Sequence, residues 1–409
     1  MVTTLATGLC GGENDALAAT DAVLQAKEEL GSARVDLSIV YSTSEYDYQE
    51  VVDAVREATG NAPLIGASTA GEFTEDGVNE KNVAVGLLSS EDIKVFTAIS
   101  GGVKEDPESA IKEVAAKLPG KVRGYPYMTA ILIADGLSGM GERVALLASY
   151  LFGKGLRIVG GMAGDDFKME KTFVFCDGNV RTDAIGVCLL ASKMPLFTGV
   201  KHGHTPVSRK LRATRTEGNV LYEINNMPAW AAWKEETAET ARKAGIDVNQ
   251  LKTPVEIAQF CANSQLGLAT ERVGEYKIRW PVSANEDGSL NFACDIAEGA
   301  IFRIMDGSNL EGQIDAAEGA IMMAKRSAED AGYSEFAGIL VFDCAHRQLM
   351  LGVRFSESVD RFKKVLPGVP LLGWETYGEI RLEPGQFSGF HNTTSVVLLL
   401  PKDRNAEGR

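Results

Sequence analysis

The sequence predicts an α/β fold with mixed, largely parallel sheets flanked by helices, built from three internal βαβαββ-type repeats in two domains. The first observation behind this prediction is a recurring Gly-rich segment, since residues 64–73 align without a gap on residues 371–380. Residues 158–165 form a third copy with one deletion. Each copy runs from an apolar stretch into a turn that ends on a carboxylate, and a second apolar run follows.

The second observation is an alternation of strand-like and helix-like apolar patterns before each copy. In the first repeat, strand, helix, strand and helix are predicted at 3–9, 14–30, 35–41 and 48–59. The same order is predicted at 94–100, 108–118, 129–134 and 140–152, and again at 301–305, 311–331, 338–342 and 356–366. Such alternation predicts parallel pairing through crossovers. The closing apolar runs, at 82–88, 184–190 and 394–400, are predicted to pair antiparallel, which makes the sheets mixed.

The positions of the repeats predict a domain boundary near residue 225. Residues 1–225 are predicted to form an N-terminal domain with two tandem repeats, closed by a β-rich stretch. Residues 226–270 are predicted to be a helical connection, and residues 271–401 a C-terminal domain with the third repeat. Residues 402–409 form a polar tail.

The composition restricts the functional classes. A net charge of −15 and a pI of about 4.9 disfavour nucleic acids and anionic membranes as partners, because both attract basic surfaces. No apolar run approaches the ~20 residues that span a bilayer, and the N-terminus lacks the pattern of a signal peptide. We therefore expect a soluble cytoplasmic protein without membrane insertion. The six cysteines include no C-x-x-C pair, so a disulfide framework and a structural zinc site are not expected.

The predicted loops at the strand ends are the best candidates for a ligand site, because ligands in open α/β sheets bind beyond the carboxyl ends of strands. Glycines in such loops permit close backbone approach. The alternative is that the turns are merely tight and that their carboxylates cap neighbouring backbone. The candidate residues in these loops are Asp135, Gly164, Asp165, Cys344, Gly378 and Glu379.

Arg347 gives the third repeat its most specific chemistry, because a planar guanidinium fits a carboxylate or a phosphate. Glu379 can accept from an ammonium group, and Trp374 and Tyr377 can supply apolar walls. This combination predicts a small zwitterion, such as an amino acid, as the ligand. The alternative is an ion pair between Arg347 and Glu379 that joins two loops.

Histidine and cysteine side chains offer two other kinds of site. His202 and His204 share one face of a predicted strand, so they are candidates for a metal or haem, or else ordinary hydrogen-bonded histidines. Cys344 and His346 are a candidate thiol and base. Residues two apart on an extended chain seldom form a nucleophile–base hydrogen bond, which disfavours covalent catalysis.

Several motifs together carry a family resemblance over nearly the whole chain. The runs Asp135-Gly136-Leu137, Val159-Gly160-Gly161-Met162-Ala163-Gly164-Asp165-Asp166 and His202-Gly203-His204-Thr205-Pro206 resemble the FIST N-terminal domain. The runs Val341-Phe342-Asp343-Cys344-Ala345-His346-Arg347, Thr376-Tyr377-Gly378-Glu379-Ile380 and Phe390-His391-Asn392-Thr393-Thr394 are similar to the FIST C-terminal domain. These motifs add Gly161, Thr376 and His391 to the candidate ligand contacts.

The resemblance implies an intracellular sensory module. Members of the family are often fused to histidine kinases, diguanylate cyclases, chemotaxis transducers or an F-box. They are thought to bind small ligands, with amino acids proposed, and some are haem proteins that sense nitric oxide. This sequence shows no output domain, so we expect a separate signalling partner such as a histidine kinase or a cyclase. His346 stands where the family's Cys-x-x-Arg motif commonly has a glycine.

We therefore expect a non-catalytic cytoplasmic sensor that binds an amino acid or a related metabolite between the acidic loops. In this hypothesis Arg347 holds the carboxylate, Glu379 or Asp165 holds the amine, and Trp374 and Tyr377 hold the apolar portion. One alternative is a haem-binding nitric oxide sensor with His202 or His204 as the iron ligand. The others are an enzyme that uses Cys344 as its nucleophile and a scaffold without a ligand.

Overall fold

The computed structural model describes residues 3–79, 81–153, 155–270, 275–386 and 389–402, and it has the predicted mixed α/β architecture. The larger of two compact units, here called the three-sheet unit, comprises Met1–Lys201, Ala316–Phe390 and Ser395–Arg409. The smaller, the inserted unit, comprises His202–Asp315 and His391–Thr394. These two units do not coincide with the predicted domains, whose boundaries lie at residues 225 and 270. The predicted boundaries remain a prediction. Residues 403–409 of the predicted tail lie outside the described residues.

The elements up to residue 201 follow the predicted repeats to within about two residues. The strands are β1 (Thr4–Cys10), β2 (Leu37–Ser42), β3 (Leu64–Ser68), β4 (Glu72–Thr74), β5 (Gly77–Asn79), β6 (Val83–Ser89), β7 (Ile93–Gly101), β8 (Tyr127–Ala134), β9 (Arg157–Met162), β10 (Val174–Cys176), β11 (Asn179–Arg181), β12 (Ala184–Ser192) and β13 (Phe197–Lys201). The helices are α1 (Asp15–Leu30), α2 (Tyr48–Ala58), α3 (Pro107–Lys117) and α4 (Gly141–Leu151).

The rest of the chain contains the inserted unit and the third repeat. The next strands are β14 (Thr205–Pro206), β15 (Leu211–Glu217), β16 (Val220–Ile224), β17 (Met227–Pro228), β18 (Ser264–Ala269), β19 (Tyr276–Arg279), β20 (Pro281–Ala284), β21 (Leu290–Phe292) and β22 (Ile301–Asp306). The last strands are β23 (Phe336–Cys344), β24 (Leu371–Thr376), β25 (Glu379–Leu382), β26 (Phe390–His391) and β27 (Ser395–Pro401). The helices are α5 (Ala229–Lys243), α6 (Pro254–Asn263), α7 (Leu310–Asp330), α8 (Ala345–Leu351) and α9 (Phe355–Val365), with a 3₁₀ turn at Gly352–Arg354.

Polar side chains begin the helices at the predicted places. The side chain of Asn14 accepts from the backbone N–H of Leu17 (2.8 Å) and caps α1. Asp47 accepts from the N–H groups of Gln49 and Glu50 (2.9 and 3.2 Å) and caps α2. These side chains satisfy donors that have no partner inside the helix, so the helix starts are encoded locally.

The sheets of the three-sheet unit share one strand order over the described residues. The first sheet has the order β1-β6-β2-β3-β10-β11, the second β7-β12-β8-β9-β25-β26, and the third β13-β27-β23-β24-β4-β5. In each, the pair β2–β3, β8–β9 or β23–β24 is parallel. The closing strands β6, β12 and β27 lie between the first two strands and run antiparallel to both. The sheets are therefore mixed, with a smaller parallel share than predicted.

The strand predicted at 301–305 forms, but the first strand of the third sheet is β13. Those residues form β22 in the inserted unit. A Cβ atom on Gly199 of β13 would lie 1.9 Å from the carbonyl oxygen of Ala320 in α7. A Cβ atom on Gly8 of β1 would likewise lie 2.0 Å from the carbonyl oxygen of Ala22 in α1. The same close approach of helix to strand shows that β13 and α7 correspond to β1 and α1, and that residues 202–315 separate them.

Hairpins link the three sheets in a ring. The hairpin β4–β5, which follows β3 of the first sheet, pairs with β24 of the third. The hairpin β10–β11, from the second repeat, pairs with β3, and β25, from the third, pairs with β9. Each Gly-rich turn therefore leads from the sheet of its own repeat into a neighbouring sheet.

The main hydrophobic core of this unit lies between the sheets. Residues from one face of each sheet contribute to it, including Ile39 and Tyr41, Ile133 and Val159, and Phe342, Trp374 and Leu398. The opposite face of the first sheet packs on α1 and α2 through Val23, Val51 and Val55, among others. Both faces of these strands are therefore buried, which agrees with their continuous apolar runs.

The inserted unit has its own sheet and core. Its strands have the order β19-β18-β22-β15-β16-β21-β20, with β14 beside β22 and β17 beside β16. Its core includes Trp230, Trp233, Phe292 and Phe302. The predicted helical connection at 226–270 contains α5 and α6, but its last residues form β18. None of the described helices is at once long and apolar enough to cross a membrane.

Candidate functional site

The strands that precede the Gly-rich turns each end against the turn of another repeat. At the Ser68 junction, the N–H of Ser68 donates to the carbonyl of Phe173 (3.0 Å), and the N–H of Gly164 donates to the carbonyl of Ser68 (2.9 Å). At the Met162 junction, the N–H of Met162 donates to the carbonyl of Gly378 (2.8 Å). At the Glu375 junction, the N–H of Glu375 donates to the carbonyl of Gly71 (2.8 Å). Ser68, Met162 and Glu375 therefore hold corresponding positions.

The side chains at these junctions differ in chemistry. Parallel pairing places Ser42 beside Ser68, Ala134 beside Met162, and Asp343 beside Glu375, with each pair on one face of its sheet. The Ser68 hydroxyl donates to the carbonyl of Gly164 (2.7 Å) and accepts from the N–H of Phe173 (2.8 Å). Hydroxyl groups or apolar side chains thus fill two junctions, whereas two carboxyl groups meet at the third.

Glu375 is the most unusual group of the site. Its side chain is 0% exposed, and neither carboxyl oxygen has a hydrogen-bond partner among the described residues. A Cβ atom on Gly71 would lie 2.9 Å from the Glu375 Cδ atom, so the carboxyl group packs directly on that glycine. Gly71 also has a φ of +155°, which disfavours any other residue.

Burial raises the pKa of Glu375 well above its usual range. The neighbouring charges of Asp343, Glu72 and Asp166 raise this pKa further, and Arg347 lowers it. Desolvation penalises the charged form of a carboxyl group, and like charges nearby penalise it again. The folded protein therefore favours the protonated form of Glu375.

Arg347 lies beside this group and already donates hydrogen bonds to other side chains. Its Nε donates to Asp343 (2.6 Å), its Nη2 donates to the hydroxyl of Ser358 on α9 (2.7 Å), and it is 0% exposed. Burial raises the pKa of Asp343, although Arg347 opposes the shift. The second carboxyl oxygen of Asp343 has no hydrogen-bond partner in the described part of the chain. The ion pair observed for Arg347 is thus with Asp343, four residues earlier, where an ion pair with Glu379 was the predicted alternative.

Two further carboxylates complete the acidic surroundings. Glu72 accepts from the hydroxyl of Thr69 (2.8 Å) and from the N–H of Asn82 (3.2 Å), and burial raises its pKa well above the usual range. Asp166 accepts from the N–H of Ser44 (2.6 Å) and from its hydroxyl. These carboxylates have hydrogen-bond donors, in contrast to Glu375.

The Met162 junction brings several predicted site residues together. Tyr377 donates from its hydroxyl to Asp165 (2.6 Å), and this hydroxyl accepts from the N–H of Phe167 (2.8 Å). Asp165 also accepts from the backbone N–H groups of residues 169–171 at 2.7 to 3.1 Å. A Cβ atom on Gly161 would lie 2.7 Å from the Thr376 side chain, so these residues also meet here. Asp165 therefore orders its own loop and holds Tyr377.

Two other predicted carboxylates accept hydrogen bonds from within the protein. Glu379 accepts from the hydroxyl of Thr376 (2.9 Å), and Thr69–Glu72 in the first repeat repeats this contact. Asp135 accepts from Thr172 (2.8 Å) and from the N–H groups of Leu137 and Asp183 (2.9 and 2.6 Å). The contact between the N–H of Leu137 and Asp135 is that of the turn-capping alternative.

The remaining candidates of the third repeat are dispersed. Trp374 stacks on Tyr41 in the core, with ring centroids 4.9 Å apart, and so points away from the face that carries Glu375. Cys344 is a buried cysteine that precedes α8. His346 lies two residues further on, within α8. His391 groups with the inserted unit.

The histidine pair lies in the inserted unit. The rings of His202 and His204 are 5.8 Å apart, and Nδ1 of His202 accepts from the N–H of His204 (3.2 Å). A Cβ atom on Gly203 would lie 2.3 Å from the carbonyl oxygen of Gly312, so backbone packs tightly against this segment. Such packing does not fit a haem macrocycle beside the histidines. No group of three or more His, Cys, Asp or Glu side chains within the described ranges is arranged to hold a metal ion.

Sequence reasoning missed Glu375 as a site residue, together with the part played by Asp343 and Asp166. A signal was present, because the repeat alignment sets Glu375 against Ser68 and Met162. A carboxylate at the end of a strand whose other residues are apolar is uncommon in a buried environment.

Comparisons with known proteins identify two domains in the chain. Residues 36–227 match the FIST N domain and residues 247–381 match the FIST C domain. An uncharacterised protein of Methanocaldococcus jannaschii is 25% identical over 413 aligned positions, covering 94% of this chain and 77% of that protein.

Solved structures give only weak similarity. A cyanuric acid hydrolase covers 98% of this chain and 100% of its own, at 7% identity and a TM-score of 0.37. Another, from A. caulinodans, covers 47% of this chain and 72% of its own, at 10% identity and a TM-score of 0.27. At these scores the similarity carries no argument about fold or activity.

Proposed function

Because the chain belongs to the FIST family, we propose that it is a non-enzymatic sensory protein that binds a small ligand and signals to a separate protein. The single observation that carries this proposal is the presence of both FIST domains, N and C, in one chain. FIST domains are sensory domains of signal transduction. An amino acid or a related metabolite remains the ligand class that we propose.

The Glu375 junction supports a ligand at the ends of the strands. Most buried polar groups in proteins have hydrogen-bond partners, and exceptions with perturbed pKa values concentrate at functional sites. Arg347 already donates to Asp343 and Ser358, so we assign it a positioning role for Asp343 in place of direct contact with a ligand carboxylate. Tyr377 and Asp165 border the neighbouring Met162 junction.

Transmission is proposed to use a pre-existing equilibrium of the three-sheet unit. Each hairpin joins two sheets, so a ligand that binds one arrangement of a junction more tightly favours that arrangement. A cytoplasmic histidine kinase or cyclase would then read the change. The buried position of Cys344 and the placement of His346 on α8 support a non-enzymatic role over a Cys-dependent enzyme.

A thermal-shift screen of the full chain tests this proposal. The panel contains amino acids, small peptides, nucleotides, amines and organic acids. A ligand at ~100 times its dissociation constant stabilises a protein by about 2.7 kcal/mol, which raises Tm by several degrees. A reproducible shift by one chemical class supports the sensor. A panel without any shift would contradict the sensory function, and turnover of any member of the panel would contradict the non-enzymatic role.

A further inference from the structure

We propose that the carboxyl group of Glu375 binds the ammonium group of a small organic cation, which would make the Glu375 junction the ligand site of the sensor. This inference rests on the proposed function and assigns it a site and a ligand class. It replaces Glu379 and Asp165 as the expected partners of an amine.

The comparison of the three junctions is the first argument. The same backbone contact is made with serine, methionine and glutamate at the corresponding position, so the fold itself requires no carboxyl group there. Ser68 satisfies its hydroxyl within the junction. Glu375 leaves both oxygens without partners in the part of the chain that the structure describes. A buried group that costs stability and that two equivalent junctions avoid points to a role in binding.

Charge is the second argument. Arg347 balances Asp343, with the two groups 2.6 Å apart. Glu375 then lies near the further carboxyl groups of Glu72 and Asp166, and it forms no ion pair within the described ranges. A ligand that reaches Glu375 therefore meets carboxyl groups, and Arg347 is already paired with Asp343, so a cation that displaces the Glu375 proton is favoured over an anion. An organic cation is favoured over a metal ion, because the described side chains include no metal-binding group.

Binding is coupled to a proton. The ligand-free junction favours protonated Glu375, and an ammonium ion is best held by the carboxylate. When the cation binds, the O–H bond of Glu375 breaks and the proton passes to the solvent, so one positive charge replaces another. Binding of a cation therefore releases about one proton per site.

Titration calorimetry on the full chain tests the proposal. The probes are methylammonium, propylammonium, 1,4-diaminobutane and L-alaninamide, with propionate as the anionic control. Each titration is run in phosphate and in HEPES, which contains no primary amine, because a released proton adds the protonation enthalpy of the buffer. We expect at least one cation to bind with release of about one proton, and propionate not to bind. Glu375→Gln should weaken that binding by at least about tenfold and abolish the proton release.

Two further variants keep the test decisive. Glu375→Ser, which introduces the residue of the Ser68 junction, serves if Glu375→Gln does not fold. Glu108→Gln makes the same change at an exposed helix position and should bind as wild type. Equal binding of a cation by wild type and both Glu375 variants would overturn the inference. So would a panel in which only anions or neutral compounds bind, although the sensory function would then stand. Failure of every compound in the wider thermal-shift screen would instead contradict the sensory function itself.

Discussion

At the scale of single residues, the Glu375 carboxyl group has the most distinctive environment in the described structure. It is buried against Gly71 and has acidic neighbours. The guanidinium of Arg347 beside it is already paired with Asp343. Removing a buried polar group that lacks partners is expected to stabilise a protein, whereas removing a satisfied one is expected to destabilise it. Because Glu375 and Ser68 hold corresponding positions, replacing each of them with methionine measures this contrast.

We expect Glu375→Met to raise the free energy of unfolding by about 1–3 kcal/mol, because methionine fills the position without an unsatisfied group. Ser68→Met should lower it by a similar amount, because the carbonyl of Gly164 and the N–H of Phe173 lose their partner. Urea denaturation near neutral pH measures both. A loss of stability in both variants would show that Glu375 has partners in solution.

The stability of the protein should also depend on the protonation of Glu375. Its pKa is raised on folding, so the folded state binds this proton more tightly than the unfolded state. The contribution of this proton to the free energy of unfolding is complete below the unfolded pKa of about 4.3. It is lost as pH rises towards the folded pKa, by up to about 1.4 kcal/mol per pH unit.

Urea denaturation of wild type and Glu375→Gln from about pH 5 to about pH 8 checks this dependence. Stability of the wild type relative to the variant should fall as pH rises. Parallel curves would mean that Glu375 titrates equally in both states. Glu72 and Asp343 also have raised pKa values and interact with Glu375, so the difference between the two proteins reports Glu375 together with its coupling to these neighbours.

At the scale of elements, local patterns predicted most helices and strands because their causes are local. Asn14 and Asp47 cap the helices that follow them, and apolar periodicity marks α1, α2 and β6. The misplaced element was the first strand of the third sheet. Both β13 and β22 are strands that precede α7, and periodicity does not reveal which one pairs with β27. Only the tertiary pairing decides that question.

The contact between β13 and α7 gives a test at this scale. Gly199→Ala places a methyl group 1.9 Å from the Ala320 carbonyl oxygen, so the helix must move away from the sheet. We expect a loss of about 1–3 kcal/mol in the free energy of unfolding, measured by urea denaturation. Gly120→Ala, where nothing lies within 4 Å of the added atom, is the control. Equal stability of the two variants would contradict the assignment of β13 as the counterpart of β1.

At the scale of the whole molecule, the ring of hairpins makes the repeats depend on one another. The hairpin β4–β5 of the first repeat pairs with β24, and β9 of the second pairs with β25. Each sheet thus needs strands from two repeats to complete it. Predicted domains that follow one another along the chain need not fold independently in such an arrangement.

A fragment of residues 1–225 tests this dependence. It lacks β24 and β25, so we expect no cooperative urea transition and weak dispersion of amide signals in NMR spectra. The full chain, measured in parallel, should show both features. A monomeric fragment with a cooperative transition would show that the predicted N-terminal domain is an independent folding unit.

The sequence by itself determined the α/β class, the elements of the repeats, the FIST family and the acidic character of the turns, because these depend on composition, periodicity and local capping. It placed Asp165 and Tyr377 among the candidates, and they do meet. The tertiary structure alone decided that Arg347 is paired with Asp343, that Trp374 faces the core, and that the buried Glu375 carboxyl group has no hydrogen-bond partner among the residues described. Those facts depend on which strand ends meet which turns, and contacts between segments distant in sequence leave no periodic signal in the chain.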